Sequence, residues 1–164
     1  MEFVRCVIYF AVLGVLAFPV GRIISKINPD PNKFPFKAYD WEQGGRIYEK
    51  LNIKAWQARI PDVSKVLGKW MPKKQLSGKL TAESVGVMIR ETCVAETVHT
   101  MLNIAGLYVL KLWPGLGGVL LYLVYNLLGN LPFIIVQRYN RPRLLKMRER
   151  LLKQAFRDRK PETG

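Results

Sequence analysis

Histidine is almost missing from this chain: among 164 residues there is one, His99. Cysteine is nearly as scarce, with only Cys6 and Cys93, and 12 acidic residues face 26 lysines and arginines. Each shortage excludes something. The two cysteines make no metal-site spacing, and their expected positions at opposite membrane faces exclude a disulfide between them. A di-iron helical bundle takes two Glu-x-x-His helices, and Glu96 with His99 supplies half of that set. A metal held by Glu91, Glu96 and His99 therefore stays an alternative, and the leading expectation is no metal and no resident cofactor. The net charge of +14 arrives without a nucleic-acid motif, so anionic membrane lipids or a phosphorylated substrate are the expected partners, and nucleic acid is not. Internal repeats and low-complexity tracts are absent.

Long apolar runs are what the chain does have. They cover residues 3–20, 95–113 and 116–136, each close to the roughly 20 residues that a spanning helix needs. The first run has Glu2 near its start and AFPVGR where a small-residue cleavage site would stand, so it reads as an uncleaved anchor rather than a signal peptide. The expected fold is an all-α integral membrane protein with three transmembrane helices, an N-terminal anchor plus a helical hairpin, and amphipathic interfacial helices. Its expected layout is one membrane domain over 1–164: a first span at 3–21, a cytosolic interfacial region at 22–80, a long helix with the second span at 81–113, a third span at 115–137 and a basic amphipathic helix at 138–160. Charge sets the orientation. One arginine, Arg5, precedes the first span, 14 basic residues lie from Arg22 to Arg90, Lys111 stands alone, and 10 lie from Arg138 onward. The positive-inside rule then predicts a multi-pass protein of the cell membrane with the N-terminus and the Pro114 turn outside and the C-terminus in the cytosol.

Local signals fill in the layout. Three prolines in NPDPNKFPF (28–36) forbid a regular helix and mark a turn out of the bilayer. Between 39 and 60, Trp41, Tyr48, Leu51 and Trp56 stand among charges, as expected of a segment at the headgroup level. Arg59-Ile60-Pro61-Asp62 reads as a turn, and 63–79 has no clear period. Thr81 followed by Glu83 and Ser84 resembles a helix start. Pro132 predicts a kink near Leu128 that frees a carbonyl.

The polar residues of the hairpin are where chemistry is expected. Glu96, His99 and Asn103 share one face of the second span, and Asn126, Asn130 and Gln137 share one face of the third. If the two spans fold back at Pro114-Gly115, Asn103 faces Asn126, His99 faces Asn130, and Thr92 faces Gln137. Ionisable groups inside a membrane usually mark sites, although a polar pair can also serve only to join helices. At about 1.5 Å per residue from the outer end, the imidazole lies roughly 20 Å deep in a core about 30 Å thick, within the cytosolic leaflet. Glu96 at i−3 is expected to accept a hydrogen bond from one ring nitrogen, leaving the other to take a proton from a hydroxyl, with Asn103, Asn126 and Asn130 at the carbonyl. Cys93, about 120° around the helix from His99, is expected only to pack. The run Gln137-Arg138-Tyr139-Asn140-Arg141-Pro142-Arg143 is rich in donors suited to phosphate or carboxylate, or to plain interface anchoring.

Asn130 to Leu144 (NLPFIIVQRYNRPRL) resembles the C-terminal signature of the glycosyl-diaponeurosporenoate acyltransferase family of staphyloxanthin-type carotenoid synthesis. Glu91-Thr92 with Ala95-Glu96 and His99 resembles its second motif, with departures at Cys93, Val94 and Thr100. Trp41-Glu42 with Gly45 and Tyr48, then Trp56 and Asp62, resemble a weaker N-terminal motif. The resemblance implies a small membrane enzyme that esterifies a hydroxyl of a glycosylated isoprenoid or other lipid, with acyl-CoA or another acyl donor as co-substrate. By matching positions it implies functional roles for Glu91, Glu96, His99, Asn130, Gln137, Arg138, Asn140, Arg141 and Arg143, and substrate contacts for Trp41 and Glu42. The working expectation is His99 as general base, oriented by Glu96, with Arg138, Arg141 and Arg143 on the anionic donor. Two other readings stand beside it: a non-catalytic scaffold gripping anionic lipid, and a metal-dependent lipid hydrolase.

Overall fold

Helix α1, Glu2–Ile27, is apolar on nearly every side, and most of its large side chains, Val4, Ile8, Val15 and Leu16 among them, are uncovered by protein. Such a helix is built for lipid. It ends where Asn28 turns left-handed at φ 54° and returns its N–H to the Ser25 carbonyl, just ahead of the proline-rich turns. In the computed structural model, which describes residues 1–57 and 80–158, three helical stretches are long and apolar enough to cross a membrane: Glu2–Ile27, Ala82–Leu112 and Leu116–Asp158. Regular structure among the described residues is helical throughout. The Arg59–Asp62 turn and the aperiodic stretch 63–79 lie outside them.

The second stretch comprises α3, Ala82–Gly106, and the short α4, Val109–Leu112. Thr81 caps it as its sequence context predicts: Ser84 N–H donates to the threonine hydroxyl at 3.2 Å, and Thr81 N–H donates to Ser84 Oγ at 3.1 Å. Trp113, Pro114 and Gly115 make the hairpin tip, where Gly115 has φ 97°, a backbone that a side chain would strain. Helix α5 then runs Leu116–Val124 and passes into a wide turn at Tyr125–Asn130, in which Leu131 N–H reaches back five residues to the Asn126 carbonyl. Pro132 explains that turn. Having no N–H, it cannot continue an ordinary ladder, and one extra residue is taken up just before it. Helix α6 follows as one piece from Leu131 to Asp158, with Pro142 inside it. The helix continues through 138 and past Pro142, because the residues after the proline are strong helix formers and the ladder resumes beyond the one missing donor.

Two compact units divide the chain, Met1–Lys37 with Arg90–Arg138, and Ala38–Ile89 with Tyr139–Gly164. In the first, α1 runs antiparallel to the second stretch. Phe3 meets the Trp113 ring edge-on, Tyr9 hydroxyl donates to the Ala105 carbonyl at 2.8 Å, and Gly21 faces Val94 and Val98. The N-terminus and the Pro114 turn therefore share one end of that unit. Phe10 stacks on Tyr125 at 3.8 Å between ring centres, which ties α1 to the wide turn as well. Cys6 and Cys93 are free and buried.

In the second unit, residues 40–51 form two short 3₁₀ turns joined through left-handed Gln43, Gly44 and Gly45, followed by α2, Ile53–Trp56. Its interior holds Glu42, Tyr48, Ile53, Val85, Ile89, Tyr139 and Arg141.

Candidate functional site

The first unit assembles the hairpin's polar residues. Asn130, 1% exposed, sits at the end of the wide turn, and its Nδ2 donates to the Tyr125 carbonyl at 3.3 Å. That contact decides which way the amide points. Oδ1 therefore faces His99, whose Nδ1 lies 2.9 Å from it, so Nδ1 carries the hydrogen and donates. In a neutral imidazole this leaves Nε2 as a lone-pair acceptor. The ring is held flat against Phe133, 4.5 Å between centres and 11° from parallel. The π-type turn before Pro132 thus supplies the carbonyl that orients the asparagine, which in turn orients the histidine.

Glu96 has a different partner from the one its spacing predicts. Its Oε1 meets Arg138 Nη1 at 2.6 Å, with the two side chains only 8% and 10% exposed. Arg138 also donates to the carbonyls of Pro35 at 3.1 Å and Lys37 at 3.4 Å. The physical reason is charge: a carboxylate out of water gains more from a guanidinium than from a neutral imidazole. The expected Glu96 to His99 hydrogen bond is corrected to Asn130 for the histidine and Arg138 for the glutamate. Arg138 accordingly ties spans two and three to the proline-rich segment instead of standing open to a ligand.

Asn103 and Asn126 meet through Tyr122, whose hydroxyl donates to the Asn103 carbonyl and accepts from Asn126 Nδ2, both at 3.3 Å. The side-chain Oδ1 of Asn103 is buried and has no donor among the described residues. Glu91 is exposed, Thr92 and Cys93 are buried, and Gln137 is half-buried. Among the described residues no three histidine, cysteine, aspartate or glutamate side chains lie close enough to hold a metal ion together, so the hydrolase alternative has no assembled ligand set there.

The second unit takes the rest. Glu42, 1% exposed, accepts from Tyr39 N–H at 2.7 Å and from the Tyr48 hydroxyl, an interior role where a substrate contact is expected. Trp41, 58% exposed, stacks alongside Tyr39 and meets Tyr48 edge-on. Tyr139 and Arg141 are buried, and Asn140 is half-buried. Arg143 lies over the Tyr139 ring at 3.5 Å, donates to the Tyr139 carbonyl at 2.6 Å and to Glu49 Oε1 at 2.7 Å. Lys54, 3.2 Å from the Glu49 carboxylate, holds its pKa below the usual carboxylate range, and Arg143 adds to the effect. Of the three arginines expected on an anionic donor, Arg138 and Arg141 are largely covered, and Arg143 lines an open groove. That groove, about 570 Å³, is bounded by Gln43, Gly44, Arg46, Pro142, Arg143 and Lys146. Sequence reasoning passed over Phe133, Tyr122, Arg46, Glu49 and Lys146. The available signals were spacing: Phe133 at i+3 from Asn130, and Tyr122 at i−4 from Asn126.

Residues 31–150 match the family model described as glycosyl-4,4'-diaponeurosporenoate acyltransferase. The chain belongs to this family. Among curated relatives carrying that name, the protein of Staphylococcus haemolyticus (strain JCSC1435) is 32% identical over 110 residues, 66% of this chain and 63% of the relative. The protein of Staphylococcus aureus (strain bovine RF122 / ET3-1) is 30% identical over 113 residues, 68% of this chain and 67% of the relative. The chain thus spans about two thirds of the length of these acyltransferase-family relatives. No solved structure matches it. The family match covers both of the clusters just described, from Glu42 through Lys146.

Proposed function

We propose that this protein is a membrane-embedded acyltransferase that esterifies a hydroxyl of a glycosylated carotenoid-type lipid, with His99 as general base. The family and the names of its relatives supply the reaction class. The observation that carries the mechanism is the chain of hydrogen bonds from the Tyr125 carbonyl through Asn130 to His99 Nδ1, because it holds the imidazole in the tautomer whose Nε2 can accept a proton. The step balances simply. The substrate hydroxyl loses its proton to Nε2 as its oxygen bonds to the acyl carbon, the bond to the donor's leaving group breaks, and the imidazolium returns the proton to that group. No resident cofactor takes part; the acyl donor, acyl-CoA or another activated acyl group, is a co-substrate.

Asn103 Oδ1, buried four residues from His99 on the same helix, is suited to accept from a substrate hydroxyl. Glu96 and Arg138 are positioning residues that fix the second and third spans around the imidazole. The placement of basic residues supports a cytosolic C-terminus, with the shared end of the N-terminus and the Pro114 turn outside, and basic residues at the interface meeting anionic lipid.

The test is acyl transfer by purified His99→Ala and His99→Gln in a lipid-extract assay, with thermal unfolding as the check on folding. Loss of about 10²-fold or more in both is expected for removal of a general base. Wild-type turnover by either folded variant would remove His99 from the mechanism.

A further inference from the structure

The open groove of the second unit is made almost entirely of cations and backbone. Arg46 stands on the second 3₁₀ turn, and Arg143 and Lys146 stand three residues apart on one face of α6, with Pro142 beside them. The left-handed backbone of Gln43 and Gly44 lines the opposite side, where Gly44 leaves open space. Among the described residues neither Arg46 nor Lys146 has a hydrogen bond or ion pair, and no carboxylate lines the groove. Glu49 holds Arg143 at 2.7 Å while the Tyr139 ring and carbonyl fix the same guanidinium. One arginine is therefore preset in geometry, and the two other cations of the groove have no partner among the described residues.

Cations lining one groove repel one another, and an anion seated among Arg46, Arg143 and Lys146 relieves that repulsion, of which Glu49 offsets only the part carried by Arg143. Guanidinium forks pair two oxygens at a time, and an ammonium adds a point charge, a combination matched to a phosphate or diphosphate group more than to a single carboxylate.

We propose that this groove is a phosphate-binding site, formed by Arg46, Arg143 and Lys146, that receives the phosphate or diphosphate of a ligand of this protein. Two sources carry that chemistry: the diphosphate of a coenzyme A thioester serving as acyl donor, and the phosphate of an anionic lipid headgroup. The link to an acyl donor rests on the proposed acyl transfer; the phosphate site itself does not.

The experiment uses the full chain in neutral detergent and measures binding of inorganic pyrophosphate and of coenzyme A by calorimetry, and of phosphatidylglycerol nanodiscs by co-sedimentation. Arg46→Gln with Lys146→Gln is expected to weaken pyrophosphate binding about tenfold or more, since two charge-assisted contacts to the anion are lost. Weakening of coenzyme A binding but not nanodisc binding alongside that of pyrophosphate, or the reverse, names the source. Glu49→Gln releases Arg143 from its carboxylate and is expected to tighten binding. Arg150→Gln, an exposed cation of the same helix outside the groove, leaves it unchanged. Equal affinity of the double variant and wild type for all three probes, or an equal loss in Arg150→Gln, overturns the site. His99→Ala keeps pyrophosphate affinity if the groove is independent of turnover. An acyl donor bound there shows in the double variant as a raised KM with kcat retained, which separates failure of this site from failure of the catalytic reading.

Discussion

Replacing Asn130 by leucine tests the orientation of the histidine without touching the base. The substitution keeps the branching and the number of side-chain heavy atoms and removes two contacts at once, the acceptor for His99 Nδ1–H at 2.9 Å and the donor to the Tyr125 carbonyl at 3.3 Å. Polar contacts between membrane helices contribute on the order of 1 kcal/mol each, and about 1.4 kcal/mol corresponds to a factor of ten in rate. Freed of its partner, the imidazole divides between tautomers and ring orientations while still stacked on Phe133. A fall of roughly tenfold in kcat is therefore expected, against about 10²-fold or more for loss of the base itself. Initial rates would be followed by mass spectrometry of the acylated product, with purified variants checked by thermal unfolding. The stronger form is a cycle with His99→Ala. If Asn130 acts through the imidazole, its replacement costs nothing further once His99 is gone. An unchanged kcat in Asn130→Leu, or the same fractional loss in the presence and absence of His99, refutes the orienting role.

Breaking the Glu96–Arg138 pair from one side, by Glu96→Gln or Arg138→Met, is expected to destabilise the fold by about 3–5 kcal/mol, since both side chains are nearly covered and the charge that remains loses its oppositely charged partner out of water. The double variant should unfold at a higher temperature than either single one in the same detergent, and a double variant worse than both would refute the pairing. Gly45→Ala places a Cβ 3.1 Å from both Arg143 Nη1 and the Tyr139 carbonyl at a φ of 88°, so a loss of about 1–3 kcal/mol and faster proteolysis of the 38–57 segment are expected. Glu49 titrates below an ordinary glutamate, so whatever small stability its exposed ion pairs provide is present above the ordinary carboxylate pKa and is lost as pH falls through the lowered one. Carbon-13 NMR of the glutamate carboxyls should show its midpoint rising more in Lys54→Gln than in Arg143→Gln, because Lys54 is the leading cause; the reverse order would refute that ranking.

Much of the hairpin is legible in the sequence. His99 and Asn130 were expected to face one another from a helical period and a Pro-Gly turn, and they meet at 2.9 Å; Asn103 and Asn126 are joined through the Tyr122 hydroxyl. The Thr81 cap and the disturbance before Pro132 were equally readable, since each follows from a local backbone donor or acceptor. The partner of Glu96 was not. Spacing on one helix puts His99 within its reach, whereas the choice of Arg138, 42 residues away, depends on which charges become desolvated together when helices pack. The donor-rich run from Gln137 to Arg143 also split in a way that its composition conceals: Arg138 and Arg141 turn inward, and Arg143 borders the groove.

The sequence alone determined an all-helical chain with three stretches fit for a membrane, and the register that sets an imidazole opposite an amide across a tight turn. Hydrophobic length, helical period and the backbone chemistry of proline and glycine are local properties, so they can be read in order along a chain. Tertiary structure alone decided which cations carboxylates bind, which line a groove with no carboxylate among the described residues, and which nitrogen of His99 faces Asn130. Those outcomes turn on pairings between residues far apart in sequence, where burial ranks competing partners that spacing leaves equal.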